Sequence, residues 1–104
     1  MSENNNLKQL RFSIGLARKA GKVVVGTDMV CDEIRKKKIV LALCAEDVSD
    51  NTKKKISDCC SYYKVRLSFC SMTKDELGNA IGKPFAACIG ITDANLSELI
   101  SRNL

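Results

Sequence analysis

The sequence predicts an α/β protein, a three-layer α/β/α sandwich around a central mixed four-stranded sheet. Three observations lead there. Residues 39–45 form an unbroken apolar run, β-branched at its start, which reads as a strand buried on both faces. Segments with helical spacing alternate with short apolar runs along the whole chain, so the sheet has to be covered from both sides. A chain of 104 residues also supports one hydrophobic core and no second one.

Residues 1–6 carry no apolar periodicity and are expected to be a flexible lead, leaving 7–104 as a single domain. Leu7, Leu10, Ile14 and Ala17 then repeat at helical spacing, with Phe12, Leu16 and Ala20 widening the stripe. Gly21 stands where a helix C-cap is expected, and Lys19 lies in the last turn, where the helix dipole favours a cation. Residues 22–25 read as a short strand that turns through Gly26 into a helix over 27–37, with Thr27 as its N-cap. In that helix Val30 and Ile34 face inward with Met29 or Cys31 beside them, and Asp28 and Asp32, four residues apart, share a face.

The run at 39–45 is expected in the middle of the sheet. Glu46 and Asp47 leave its end, and Ser49 caps a helix reaching Tyr63, with Ile56, Cys59, Cys60 and Tyr63 inward and Lys53, Lys54 and Lys55 on the wet side. Val65, Leu67 and Phe69 alternate with Arg66 and Ser68 as a third strand. Thr73 and Glu76 have capping-box spacing for a short helix that Gly82 ends, just before Pro84, the only proline. Residues 86–91 make the fourth strand, and Asp93 caps a last helix that turns Leu96, Leu99 and Ile100 to one side.

Composition narrows the function. The net charge of +5 is uneven: residues 1–38 hold nine basic side chains against four acids, and residues 39–104 hold eight of each. Such asymmetry is the electrostatic footprint of a nucleic-acid binder. With no histidine, no C-x-x-C pair and neither of the common glycine-rich phosphate-binding motifs, the chain has no constellation for catalysis, metal ligation or nucleotide binding. No cofactor is expected. The six cysteines read as reduced, small hydrophobic residues, with the vicinal Cys59 and Cys60 the one pair to check for oxidation. Neither a membrane span nor a signal peptide is recognisable, so the expectation is a cytoplasmic protein, a monomer, with no membrane partner.

Four segments taken together resemble a known family: Gly26-Thr27 at a helix start, the strand and exit at 39–47, Tyr62-Tyr63-Lys64-Val65, and Glu76-Leu77-Gly78-Asn79-Ala80-Ile81-Gly82. They resemble the kink-turn-binding ribosomal proteins, and within them the small bacterial YlxQ-type members, over nearly the whole of residues 7–104. The resemblance implies an α/β/α sandwich that binds structured RNA at one end, non-catalytically, in a ribosome- or translation-associated role. Carried over by position, it puts Gly26, Thr27, Asp28, Met29 and Asp32 at the RNA, with Lys83, Pro84, Phe85 and Ala86 as a second contact. Lys22, Arg35, Lys36, Lys37 and Lys38 add basic contacts beside them. Asp28, Met29 and Asp32 depart from the polar and basic residues that many members carry there. An ionised aspartate only accepts hydrogen bonds, so an alternative is a protein-interaction module that keeps the fold with weakened RNA readout.

Overall fold

The computed structural model describes the backbone of residues 2–104 and the side chains of residues 6–104; Met1, part of the expected lead, lies outside the described residues. In chain order the elements are α1 (Ser2–Lys19), β1 (Val23–Val25), α2 (Thr27–Arg35), β2 (Leu41–Cys44), α3 (Asp50–Tyr63), β3 (Arg66–Phe69), α4 (Lys74–Ala80), β4 (Cys88–Ile91) and α5 (Ala94–Ser101). The strands form one sheet in the order β1-β4-β2-β3. β2 and β3 are parallel, and β4 runs antiparallel to both β1 and β2, so the sheet is mixed, with the apolar run of β2 inside it.

Strand alternation deals the core to two faces. Leu41, Leu43, Ile89 and Ile91 point to one side, where Leu10, Ile14 and Ala17 of α1, Leu77 of α4 and Ile100 of α5 cover them. Ala42, Cys44 and Cys88 point to the other, under Val30, Cys31 and Ile34 of α2 and Ile56 and Cys60 of α3. The second face is built from smaller strand residues. At Gly90 a Cβ would stand 2.7 Å from the Ile39 side chain, so the glycine makes room for Ile39 to pack over the sheet.

Most caps follow the local chemistry. The Ser49 side chain accepts from the Thr52 N–H, Asp93 from the Leu96 N–H, and Thr73 and Glu76 form the reciprocal capping box. Gly21 and Gly82 both take left-handed backbone where helices end, with φ of 72° and 73°.

Four details differ from the sequence reading. α1 starts at Ser2, ahead of the periodic segment, since no proline or glycine interrupts residues 2–6. Phe12 is 67% exposed and the buried position beside it is Ser13, whose hydroxyl donates to the Gln9 carbonyl at 2.8 Å. The N-cap of α2 is Gly26, not Thr27. Between Met29 and Cys31 it is Cys31 that turns inward, leaving Met29 exposed.

All six cysteines are free, and five are buried. Cys60 is inside, one turn after Ile56, while Cys59 is half-buried. Burial pushes the Cys31 thiol up to about 11 and the Cys60 thiol up to about 12, which keeps both protonated at neutral pH.

Candidate nucleic-acid interface

The strand register decides which loops meet. Val25 pairs with Ile89 and Cys44 with Cys88, so the end of β1, the end of β2 and the start of β4 lie together at one end of the sheet. The Gly26 N–H donates to the Cys88 carbonyl and the Ala45 N–H to the Ala87 carbonyl, each at 2.9 Å. These bonds fix the start of α2 beside the 82–87 loop.

Gly26 has φ 100° and ψ 140°, a conformation that L side chains rarely adopt, and it provides no side-chain cap. Its N–H is spent on Cys88 and its carbonyl on the Val30 N–H. Thr27, the first helical residue, supplies no side-chain cap either. As a result the amides of Thr27, Asp28 and Met29, the first three of the helix, have no intrahelical acceptor and no capping side chain. The positive end of the helix dipole adds to their pull on an acceptor.

The second contact is held by α4. Its start is anchored by the capping box, by Asp47 Oδ1 accepting from the Lys74 N–H at 2.8 Å, and by the Arg11–Glu76 ion pair at 2.7 Å. The Thr73 amide and hydroxyl and Arg11 together hold the Glu76 carboxyl below the usual glutamate range, with the Thr73 backbone the largest cause. The chain then folds back over α4 so closely that a Cβ on Gly78 would stand 2.4 Å from the Phe85 Cα. Lys83 N–H donates to the Gly78 carbonyl at 2.8 Å and Ala86 N–H to the Lys74 carbonyl at 3.0 Å. Lys83, Pro84 and Phe85 are thereby presented outward, with Phe85 63% exposed. Ala86, expected as a contact, is buried in the core instead, because its amide and methyl group anchor the loop.

Asp28 and Asp32 of α2 each carry a cation of their own. Lys55 of α3 forms an ion pair with Asp28, holding its carboxyl below the usual aspartate range while Asp28 raises the Lys55 ammonium. Asp32 pairs with Arg35 at 2.8 Å along the same helix. The sequence alone predicts a wet face for Lys55. Ser49 was the available signal, since a cap just past the β2 exit puts the first turns of α3 at this end.

The remaining sequence-predicted residues are not brought to this surface. Lys22 precedes β1, and its carbonyl accepts from the Thr92 N–H at 3.0 Å beyond the far end of β4. Lys36, Lys37 and Lys38 follow the C-terminus of α2 and lead to Val40, whose N–H reaches the Ile91 carbonyl at 2.8 Å. Lys22, Lys36 and Lys37 therefore occupy the opposite end of the sheet from Gly26. Arg35 closes α2, and its guanidinium turns back one turn to Asp32. Around the start of α2 and the 83–85 loop, acids such as Asp28, Glu46, Asp47 and Asp75 are interspersed with Lys55, Lys74 and Lys83.

A cavity of about 480 Å³ lies between α1, β3 and the last residues, lined by Leu7, Leu10, Phe69, Cys70 and Leu104 among others. The one titratable side chain in its lining is the Cys70 thiol, which burial pushes up. Among the described residues no group of three His, Cys, Asp or Glu could hold a metal ion, and no helix is long and apolar enough to cross a membrane.

Comparison with known proteins agrees with this architecture. The family model described as "Ribosomal protein L7Ae/L30e/S12e/Gadd45 family" matches residues 8–101. The chain is 43% identical over 89 residues to the RNA-binding protein YlxQ of Bacillus subtilis (strain 168), covering 85% of this chain and 88% of that protein. It is 40% identical over 98 residues to the RNA-binding protein YlxQ of Enterococcus faecium, covering 94% and 92%. A solved structure of a protein with unknown function from Bacillus halodurans C is similar with a TM-score of 0.87 at 27% identity, covering 91% of this chain and 95% of that one. The Giardia lamblia 15.5kD RNA binding protein shares the fold, with a TM-score of 0.76 at 16% identity, covering 99% and 85%. The match of a family model over almost the whole domain, together with these relatives, establishes that the chain belongs to the ribosomal protein L7Ae/L30e/S12e/Gadd45 family.

Proposed function

We propose that this chain is a non-catalytic RNA-binding protein that recognises a sharply bent, kink-turn-like RNA through the end of the sheet where α2 begins. The observation that carries the reading is the uncapped start of α2, with three free amides held beside the outward-facing 83–85 loop. Two relatives above 40% or at 40% identity are named RNA-binding proteins, which supports the same class of ligand.

The chemistry fits a bent RNA better than a straight one. Backbone amides donate, and the exposed groove edge of a guanine offers O6 and N7 as acceptors. A regular RNA duplex hides those edges in a deep, narrow groove, whereas a bent internal loop opens it and splays bases out. Phe85 and the exposed Met29 supply apolar surface on which a splayed base can rest. Asp28 accepts from a base amino group, and Lys55, already aimed at this end, meets the phosphates that come with it. The role is structural, within ribosome- or translation-associated RNA in the cytoplasm, and it needs no cofactor.

Titration of the protein with a kink-turn RNA and with a straight duplex, each at two salt concentrations, tests this. The expected result is a preference of about tenfold or more for the kinked RNA that persists at the higher salt. Equal affinities would overturn kink recognition, and the absence of salt-sensitive binding to either RNA would overturn RNA binding altogether.

A further inference from the structure

The cations that sequence proximity attaches to Gly26 form a surface of their own. Lys22 enters β1, Lys37 and Lys38 lead into β2, and Lys64 leads into β3, so all of them fringe the same end of the sheet, opposite Gly26. From β1 to β3 is three strand spacings, roughly 15 Å. Lys36 and Lys38 share Glu33 at 3.5 and 3.9 Å, while Lys22, Lys37 and Lys64 are exposed and have no carboxylate partner among the described residues. These three unpaired cations, with the carboxylates of Glu33 and Asp93 nearby in the chain, add to the attraction the chain exerts on a polyanion.

A second observation points the same way. Lys37 and Lys64 both adopt left-handed backbone, with φ of 61° and 58°, at the ends of α2 and α3. Glycine is the residue that takes this position without strain, and here lysine occupies it twice at a cost in stability. The helix dipoles return part of that cost. Beside Lys64, in the last turn of α3, Tyr62 is 79% exposed and offers a ring on which an unpaired base can stack.

We propose that the surface formed by Lys22, Lys37, Lys38, Lys64 and Tyr62 grips the phosphate backbone of a second RNA segment, so that the protein bridges two parts of an RNA from opposite ends of its sheet. Lysines act as point charges without the fork geometry of arginine, so this grip reads charge and spacing and not sequence. The grip stands apart from the function proposed above, whereas the bridge rests on it, and substitutions confined to the far end separate the two.

The test is a full-length Lys22→Ala/Lys37→Gly/Lys64→Gly variant, in which glycine relieves the left-handed backbone and folding is not compromised. Its binding to a plain RNA duplex and to a short kink-turn stem is measured by fluorescence anisotropy over a salt series. Duplex affinity should fall by about tenfold or more at low salt, and the log–log salt slope should lose about 2 to 3. Affinity for the short kink-turn stem should change by less than about threefold. A parent protein that does not bind the duplex at low salt, or a variant with unchanged duplex affinity and slope, overturns the proposal and leaves the patch to an acidic protein or to solvent. An equal loss on both RNAs also overturns it, because it means one common surface. A parent that grips the duplex through these lysines yet shows no preference for kinked RNA upholds the far-end grip and overturns both the bridge and kink recognition.

Discussion

At Gly78 local propensity and packing predict opposite signs. In the middle of α4, alanine is favoured over glycine by about 0.5 to 1 kcal/mol on propensity alone. A Cβ at that position, however, would stand 2.4 Å from the Phe85 Cα, 2.6 Å from its carbonyl carbon and 2.7 Å from its nitrogen. Ordinary carbon contacts are about 3.5 to 4.0 Å, so the loop main chain has to retreat by roughly 1 Å or more. No side-chain rotation relieves the clash, and the loop is tied down on either side by Lys83 on Gly78 at 2.8 Å and Ala86 on Lys74 at 3.0 Å. Overpacking of this kind costs about 1 to 3 kcal/mol, which exceeds the propensity gain. Gly78→Ala should therefore lower Tm, by roughly 4 to 8 °C for each net kcal/mol. It should also weaken kink-turn RNA binding by about tenfold, because a displacement near 1 Å moves Lys83, Pro84 and Phe85. The natural control is Gly15→Ala, where the nearest neighbour of a Cβ is the Ala80 carbonyl oxygen at 3.6 Å. That change should leave RNA binding intact and hold or raise Tm. A Gly78→Ala protein with a raised Tm and unchanged RNA affinity would refute the role assigned to this glycine.

Three other substitutions probe separate links. Gly26→Ala meets no atom within 4 Å, so its cost is backbone strain at φ 100°, about 1 to 3 kcal/mol in urea unfolding; an unchanged midpoint contradicts this. Asp32→Lys breaks an exposed ion pair with Arg35, a loss of about 0.2 to 0.5 kcal/mol. If the outer face of α2 lies along phosphate, the same change strengthens RNA binding by about fivefold at low salt and less at high salt, and an unchanged affinity shows that this face is turned away. Glu76→Gln tests the pH response. The folded-state pKa of Glu76 is held below 4.5, so its contribution is present at neutral pH and is lost as pH falls below 4.5 through the folded value. Glutamine keeps the capping geometry without the charge, so Tm of the variant should fall less steeply with acid, and identical slopes contradict the assignment.

Features governed by a few consecutive residues were legible in the sequence. Ser49, Asp93 and the Thr73–Glu76 box each satisfy amides within three residues, and the apolar run around Leu41 and Leu43 marks an inner strand whatever surrounds it. The site was legible in part. Residues 22–38 look like one basic stretch around a glycine, yet the chain climbs β1 over roughly 10 Å and descends α2 over roughly 13 Å. That path leaves Gly26 at one end of the molecule and Lys22, Lys36 and Lys37 at the other, a separation that no linear spacing encodes. Lys55 comes to Asp28 across 27 residues. Gly26 takes the cap position from Thr27, its N–H tied to the Cys88 carbonyl, which is a neighbour only once β1 and β4 have paired. Phe12 is exposed because Ser13, satisfied by Gln9, takes the inward position that a purely apolar stripe would have assigned to it.

The central claim is that RNA docks at the end of the sheet where α2 begins, against amides that the fold leaves without acceptors. Backbone amide shifts, followed by NMR as a short kink-turn RNA is added, test it most directly. The account predicts that the largest changes fall on Thr27, Asp28 and Met29 and on Lys83 and Phe85, with Lys22, Lys37 and Lys64 nearly still. Changes confined to Lys22, Lys37 and Lys64, with the start of α2 unaffected, would contradict it.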